Sequence, residues 1–172
     1  RAFGPEEVET FEAGFKSEFW ENRARLNVAA YETRYKDIQI DFSATNLNNS
    51  NRGTIETVNA AGRGKIKGFE LDAQVAPVEG LTLSLGFAQT IGKLPLAANP
   101  FANGRLQAVY IVYTPKNAYT AAVDYAYPLS FGTLRAHLDA SIADGYRAQS
   151  GEATLTDDSA VVNGRLSIAD ID

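Results

Sequence analysis

The chain has no cysteine and no methionine among its 172 residues, and only one histidine and one tryptophan. Without cysteine there is no disulfide framework, no zinc knuckle and no thiol nucleophile. Without methionine the chain does not carry its own start. Arg1-Ala2-Phe3-Gly4 leads into no apolar signal core, so the chain reads as a fragment or a processed product. No run approaches the roughly 18–20 apolar residues of a membrane-spanning helix. Basic tracts are missing too: 16 Lys+Arg against 21 Asp+Glu give a formal charge of −5, which argues against nucleic acid as a partner. What is present is a folded composition, 45% hydrophobic and 22% charged, too apolar for disorder.

The apolar residues recur with period two. Phe11, Ala13, Phe15 and Phe19 form the first row, and Leu26, Val28 and Ala30 the second. Phe69, Leu71, Ala73 and Val75 interleave with Glu70, Asp72 and Gln74; Leu81, Leu83, Leu85 and Phe87 follow. Tyr119, Ala121, Val123, Tyr125 and Tyr127 form a fifth row, and Leu134, Ala136, Leu138, Ala140 and Ile142 a sixth. A seventh candidate surrounds Val162, Leu166 and Ile168. This is the pattern of half-buried strands, and nothing of comparable length reads at 3.6. The fold class is all-β, with about seven long antiparallel strands running up and down.

Short and long connections alternate. Glu21–Ala24, Pro77–Gly80 and Pro128–Gly132 are tight turns. The links from Ser43 to Gly64, from Ile91 to Lys116, and from Arg147 through Asp158 are long and polar. Val109–Tyr113 is apolar enough for an extra strand or a strand extension. Tight turns at one end and long loops at the other are the asymmetry of a transmembrane β-barrel. About ten residues at roughly 3.3 Å each, tilted near 45°, match the height of its apolar band. Aromatic residues gather near strand ends: Phe19, Trp20, Tyr125, Tyr127 and Phe131 by the short turns, Tyr31, Tyr35 and Phe87 towards the long loops. Such placement suits the girdles at the two edges of the band.

Several runs resemble the barrel of TonB-dependent outer-membrane receptors. They are Pro5 to Lys16, Asn27-Val28-Ala29-Ala30-Tyr31 continuing to Tyr35-Lys36-Asp37-Ile38-Gln39, and Gly68-Phe69-Glu70-Leu71-Asp72 with Pro77 and Gly80-Leu81-Thr82-Leu83. Pro115-Lys116-Asn117 before a strand ending in Asp124-Tyr125 is also similar, whereas Ile91–Gln107 departs from the pattern. The resemblance implies a barrel of about 22 strands in the bacterial outer membrane, plugged by a separate domain. It implies partners as well: outer-membrane lipid, the plug, the TonB complex and a small-molecule ligand such as a metal chelate. Full length would be a monomeric barrel, with no enzymatic activity and no cofactor. On this reading residues 1–172 are a partial barrel domain without plug or final strands, unable to transport alone because its end strands lack partners. A ferric siderophore is the expected ligand, on family frequency.

In a barrel with an oily exterior, ionisable residues that alternate with apolar ones line the interior. That places Glu70, Asp72, Arg135, His137, Asp139 and Arg165 towards the lumen. His137, Asp139 and Ser141 also spell a hydrolase set, but same-face neighbours stand about 7 Å apart along a strand and Asp139 intervenes. Gly62-Arg63-Gly64-Lys65-Ile66-Lys67-Gly68 lacks the spacing and context of a phosphate loop. Asp157-Asp158 and Asp170 with Asp172 fall short of a calcium ligand set, so no metal is assigned. The Asn- and Ser-rich stretch Ser43–Arg52 is a candidate recognition loop. Two alternatives remain: a soluble extracellular β-sandwich for adhesion or binding, with the Phe69/Leu71 row sealed between layers, and an outer-membrane enzyme.

Overall fold

Eleven strands are present in the computed structural model, which describes residues 3–46 and 52–171. They are β1 (Glu7–Phe19), β2 (Ala24–Lys36), β3 (Gln39–Asn46), β4 (Arg52–Asn59), β5 (Arg63–Val75), β6 (Leu81–Lys93), β7 (Ala97–Asn99), β8 (Arg105–Gln107), β9 (Asn117–Leu129), β10 (Gly132–Ala143) and β11 (Ser159–Ala169). Seven of them form one antiparallel meander in the order β1-β2-β5-β6-β9-β10-β11. These are the seven strands the alternation predicts, each 11 to 13 residues long. The extra four are built inside the long connections.

Pairing register carries the sequence pattern across the whole sheet. Phe15, Val28, Leu71, Phe87, Tyr119, Ile142 and Ala160 are successive cross-strand partners in one apolar row. One step along, Lys16, Asn27, Asp72, Gly86, Thr120, Ser141 and Val161 form a row on the opposite face. No second layer covers the apolar rows among the described residues: Val123 is 39% exposed, Leu138 55% and Leu166 71%. The sandwich alternative needs these side chains sealed in a dry centre, and they are not.

The three short turns are held by specific contacts. Trp20, Glu21 and Asn22 all adopt the left-handed backbone region, and Arg23 N–H closes the turn on Trp20 O at 3.0 Å. The Arg23 guanidinium stacks over the Trp20 ring at 4.9 Å and donates to the carbonyls of Ala76 and Pro77 in the next turn. That next turn ends at Gly80, whose φ of +76° and whose closeness to Ala126 O leave no room for a side chain. Pro128 lies inside β9, not in the turn. Its pairing with β6 stops at Tyr125, so the missing N–H there faces no ladder partner.

The long connections differ from the plain loops the sequence suggests. After Asp37, which has positive φ, the chain resumes pairing as the β3–β4 hairpin, so Ser43 and Ala44 are strand residues. Within the candidate recognition loop, Asn48 and Asn49, together with Asn51, lie outside the described residues. Ile91–Gln107 holds a small hairpin, β7–β8, around a 3₁₀ turn at Pro100–Ala102 capped by Asn99 Oδ1. Val109–Tyr113 is neither a strand nor an extension: it makes a single bridge, Val112 to Arg147, and turns at Tyr113, where φ is positive. Its apolar side chains pack instead of pairing. Val109 joins Ile40, Phe42, Ala60 and Ala97 in a small buried cluster above the sheet, and Ile111 lies on Gly92.

Candidate functional site

The six ionisable residues picked from alternation all fall on the polar face: Glu70 and Asp72 on β5, Arg135, His137 and Asp139 on β10, and Arg165 on β11. They do not form one cluster. Asp72 accepts from Asn27 Nδ2 at 3.0 Å, with Arg25 Nη2 at 4.0 Å. Glu70 stands between Ala29 and Ala88 and makes no side-chain hydrogen bond among the described residues. Three strands further on, His137 lies between two carboxylates, Nδ1 at 2.7 Å from Asp124 Oδ1 and Nε2 at 3.1 Å from Asp139 Oδ1. Asp139 also accepts from Asn163 Nδ2 at 2.9 Å. Arg135 reaches Asp170 at 2.9 Å, while Arg165 is the backbone partner of His137.

Both ring nitrogens of His137 are thus occupied by carboxylates, and Ser141 has Thr120 and Val161 as its cross-strand partners. The hydrolase geometry is not formed. Between the Asp72 and His137 groups run small side chains, Gly86, Ala88, Ala118 and Thr120. With Glu12, Lys16, Asn27, Glu70 and Asp72 they line a trough of about 510 Å³ across five strands. Small residues here keep the polar face hollow where large ones would fill it.

Asp124, Asn163 and Asn27 complete these networks and were not singled out from the sequence. Asp124 was within reach. A two-residue turn, Ser130-Phe131, puts Leu129 opposite Gly132, and counting back from there sets Asp124 beside His137. Tyr31 and Tyr35 must also be moved. Register sets Tyr31 opposite Glu12 and Gly68, on the polar face, so neither tyrosine belongs to a girdle on the apolar one. The aromatic edge near the long loops is made by Phe11, Phe69, Phe87 and Tyr119, with Phe69–Phe87 and Phe87–Tyr119 ring contacts at 6.1 and 5.0 Å.

A second feature lies at the base of the long connections. Arg147 stacks over Tyr110 at 4.1 Å, and its Nε is buried without a hydrogen-bond partner. Thr90, Tyr110, Lys116, Asp144, Arg147 and Asp158 line a cavity of about 430 Å³ there. Asp158 is a loop staple, accepting from Gly145 N–H at 2.7 Å, and Asp170 is engaged by Arg135. No group of metal-ligating side chains forms among the described residues, and Asp172 lies outside them.

Two faces of opposite polarity, strands of barrel length and loops gathered at one end define part of a transmembrane β-barrel wall. Residues 1–169 match the family described as TonB dependent receptor-like, β-barrel, and the chain belongs to that family. The fold is similar to that of the ferric yersiniabactin uptake receptor FyuA from Yersinia pestis, with a TM-score of 0.68 at 17% identity. That superposition covers 94% of this chain and 22% of the receptor, so the chain spans about a fifth of its relative's length.

Proposed function

We propose that the chain is a wall segment of an outer-membrane receptor that imports a scarce small ligand at the expense of energy delivered through TonB. In this reading the apolar rows face lipid. Glu70, Asp72, Arg135, His137, Asp139 and Arg165 face an aqueous lumen, where they pair with one another or with a plug domain. The observation that carries it is the unbroken register that keeps one face apolar and the other polar across all seven strands. That division, at this strand length and with no layer covering the apolar face among the described residues, suits a sheet with lipid on one side and water on the other. The reading is import rather than catalysis: His137 is held by Asp124 and Asp139 and makes no hydrogen bond with Ser141 among the described residues.

A ferric siderophore is the proposed cargo. Family frequency supports that choice, and the similar fold of the ferric yersiniabactin receptor agrees with it. The cationic side chains of Arg147 and Lys116 beside Tyr110 suit an anionic, aromatic chelate arriving at the loops. The test uses the full-length receptor in bilayers with nitroxides at Leu71 and Asp72. Lipid-soluble oxygen should relax Leu71 and a water-soluble paramagnet should relax Asp72; the reverse result removes the transporter reading. Growth on ferric siderophores as sole iron source, with and without Arg147→Gln, then tests the cargo. Growth on one chelate that requires the receptor and weakens in Arg147→Gln identifies it, and growth on every chelate that is unchanged when the receptor is deleted rejects the siderophore assignment.

A further inference from the structure

Two glycines on the polar face near the long connections serve space, not backbone shape. Gly64 on β5 and Gly92 on β6 stand an even number of residues from Asp72 and Gly86, so they share that face. Neither has a positive φ, and glycine weakens the interior of a strand. Their neighbours account for them. A Cβ on Gly92 would stand 2.0 Å from Ile111 Cδ1, and one on Gly64 would stand 3.0 Å from Leu94 Cδ2 and 3.4 Å from Pro95 Cδ. All three intruding residues come from the connection between β6 and β9, which therefore folds back over the polar face.

Residues 109–113 of that connection are held from their other side by the link between β10 and β11. Tyr110 N–H donates to Ser150 O at 2.8 Å, Tyr113 N–H donates to Arg147 O at 2.9 Å, and Val112 bridges Arg147. The Arg147 guanidinium lies over the Tyr110 ring, and the Tyr113 ring meets that of Tyr146 at 5.7 Å. The first long connection completes the lacing. Val109 is buried with Ile40 and Phe42, Phe42 lies on Gly151, and Ser43 Oγ donates to Gln149 Oε1 at 3.1 Å. The cavity of about 430 Å³ beside the segment would give a loose loop room to swing. This one is tied along one edge and wedged at Ile111.

We propose that residues 109–113 form a fixed shelf on the lumen wall, seated by Ile111 on Gly92 and laced to residues 147–150. The opening that a ligand meets is then narrowed before the ligand arrives, and selection at the mouth works by fit to a preformed shape. Such preorganisation spares the ordering cost that a closing loop carries. A flexible lid would need neither the glycine seats nor the lacing. The inference rests on the reading that the polar face lines the lumen.

The experiment is amide hydrogen exchange of the full-length receptor in bilayers, with no ligand added. The Tyr110 and Tyr113 amides should exchange about a hundredfold or more slower than free peptide, as those of a folded element do. Gly92→Val fills the seat and Ile111→Ala removes the wedge; each should speed exchange at both amides by about tenfold, the scale of one misfitted packing contact. The Leu85 amide in the middle of β6 should keep its rate and so report an intact strand. Exchange of Tyr110 and Tyr113 at free-peptide rates in wild type overturns the shelf, as does protection that neither variant changes. The Leu71 nitroxide separates this failure from that of the wider reading. Leu71 in lipid with unprotected amides removes the shelf alone; Leu71 in water with protected amides leaves a rigid crown and takes the lumen away from it.

Discussion

The ring of Tyr31 lies across Gly68 of the neighbouring strand, so close that a Cβ on the glycine would stand 2.1 Å from the ring Cζ. Flattened there, the phenol crosses β5 to reach Thr90 Oγ1 on β6 at 3.3 Å. One aromatic side chain thus spans three strands of the polar face, and a glycine makes it possible. Gly68→Ala should push the ring off and cost about 1–3 kcal/mol. Gly53→Ala, with nothing within 4 Å of its Cβ, is the control and should be silent. Urea unfolding of the receptor in bilayers measures both.

Arg23 joins two turns that are distant in sequence. Arg23→Ala removes the donors to Ala76 O and Pro77 O together with the stack on Trp20, and should destabilise that rim by about 2 kcal/mol. Hydrogen exchange at the Ala76 amide, which bonds to Arg23 O at 2.7 Å, should speed up while exchange in the middle of β9 stays unchanged.

Leu85 and Ser84 are adjacent on β6 and belong to opposite faces. An arginine on the lipid side of a barrel midplane costs about 2–4 kcal/mol, whereas one towards a lumen costs little. Leu85→Arg should therefore impair assembly and Ser84→Arg should not, as scored by heat-modifiable migration of the membrane-inserted receptor. Equal behaviour of the two would contradict the assignment of faces.

Glu32 is the hub for Arg34, Lys65 and Lys67. Glu32→Gln leaves three neighbouring cations without their shared carboxylate. Folding stability should fall at low salt and recover as salt screens the repulsion.

Much of the sheet is legible in the sequence. Alternation located the seven strands because each separates a greasy face from a wet one, and the tight turns then fixed their partners. The face of Tyr31 is not legible from its strand-end position; it is set by the register with Gly68. The loop structure was hidden for another reason. Phe42 and Val109 are buried together although 67 residues apart, and no local pattern announces a contact of that span. Asp124 lay between these cases, recoverable by counting through a two-residue turn but invisible to alternation alone.

Ile40, Phe42, Ala60, Ala97 and Val109 pack with one another above the sheet, so the crown has an anchor of its own. Substitutions at its tips are therefore expected to leave the pairing of the seven long strands unchanged. Under the proposed import role, a lineage could retune what the mouth selects while leaving biogenesis of the wall intact.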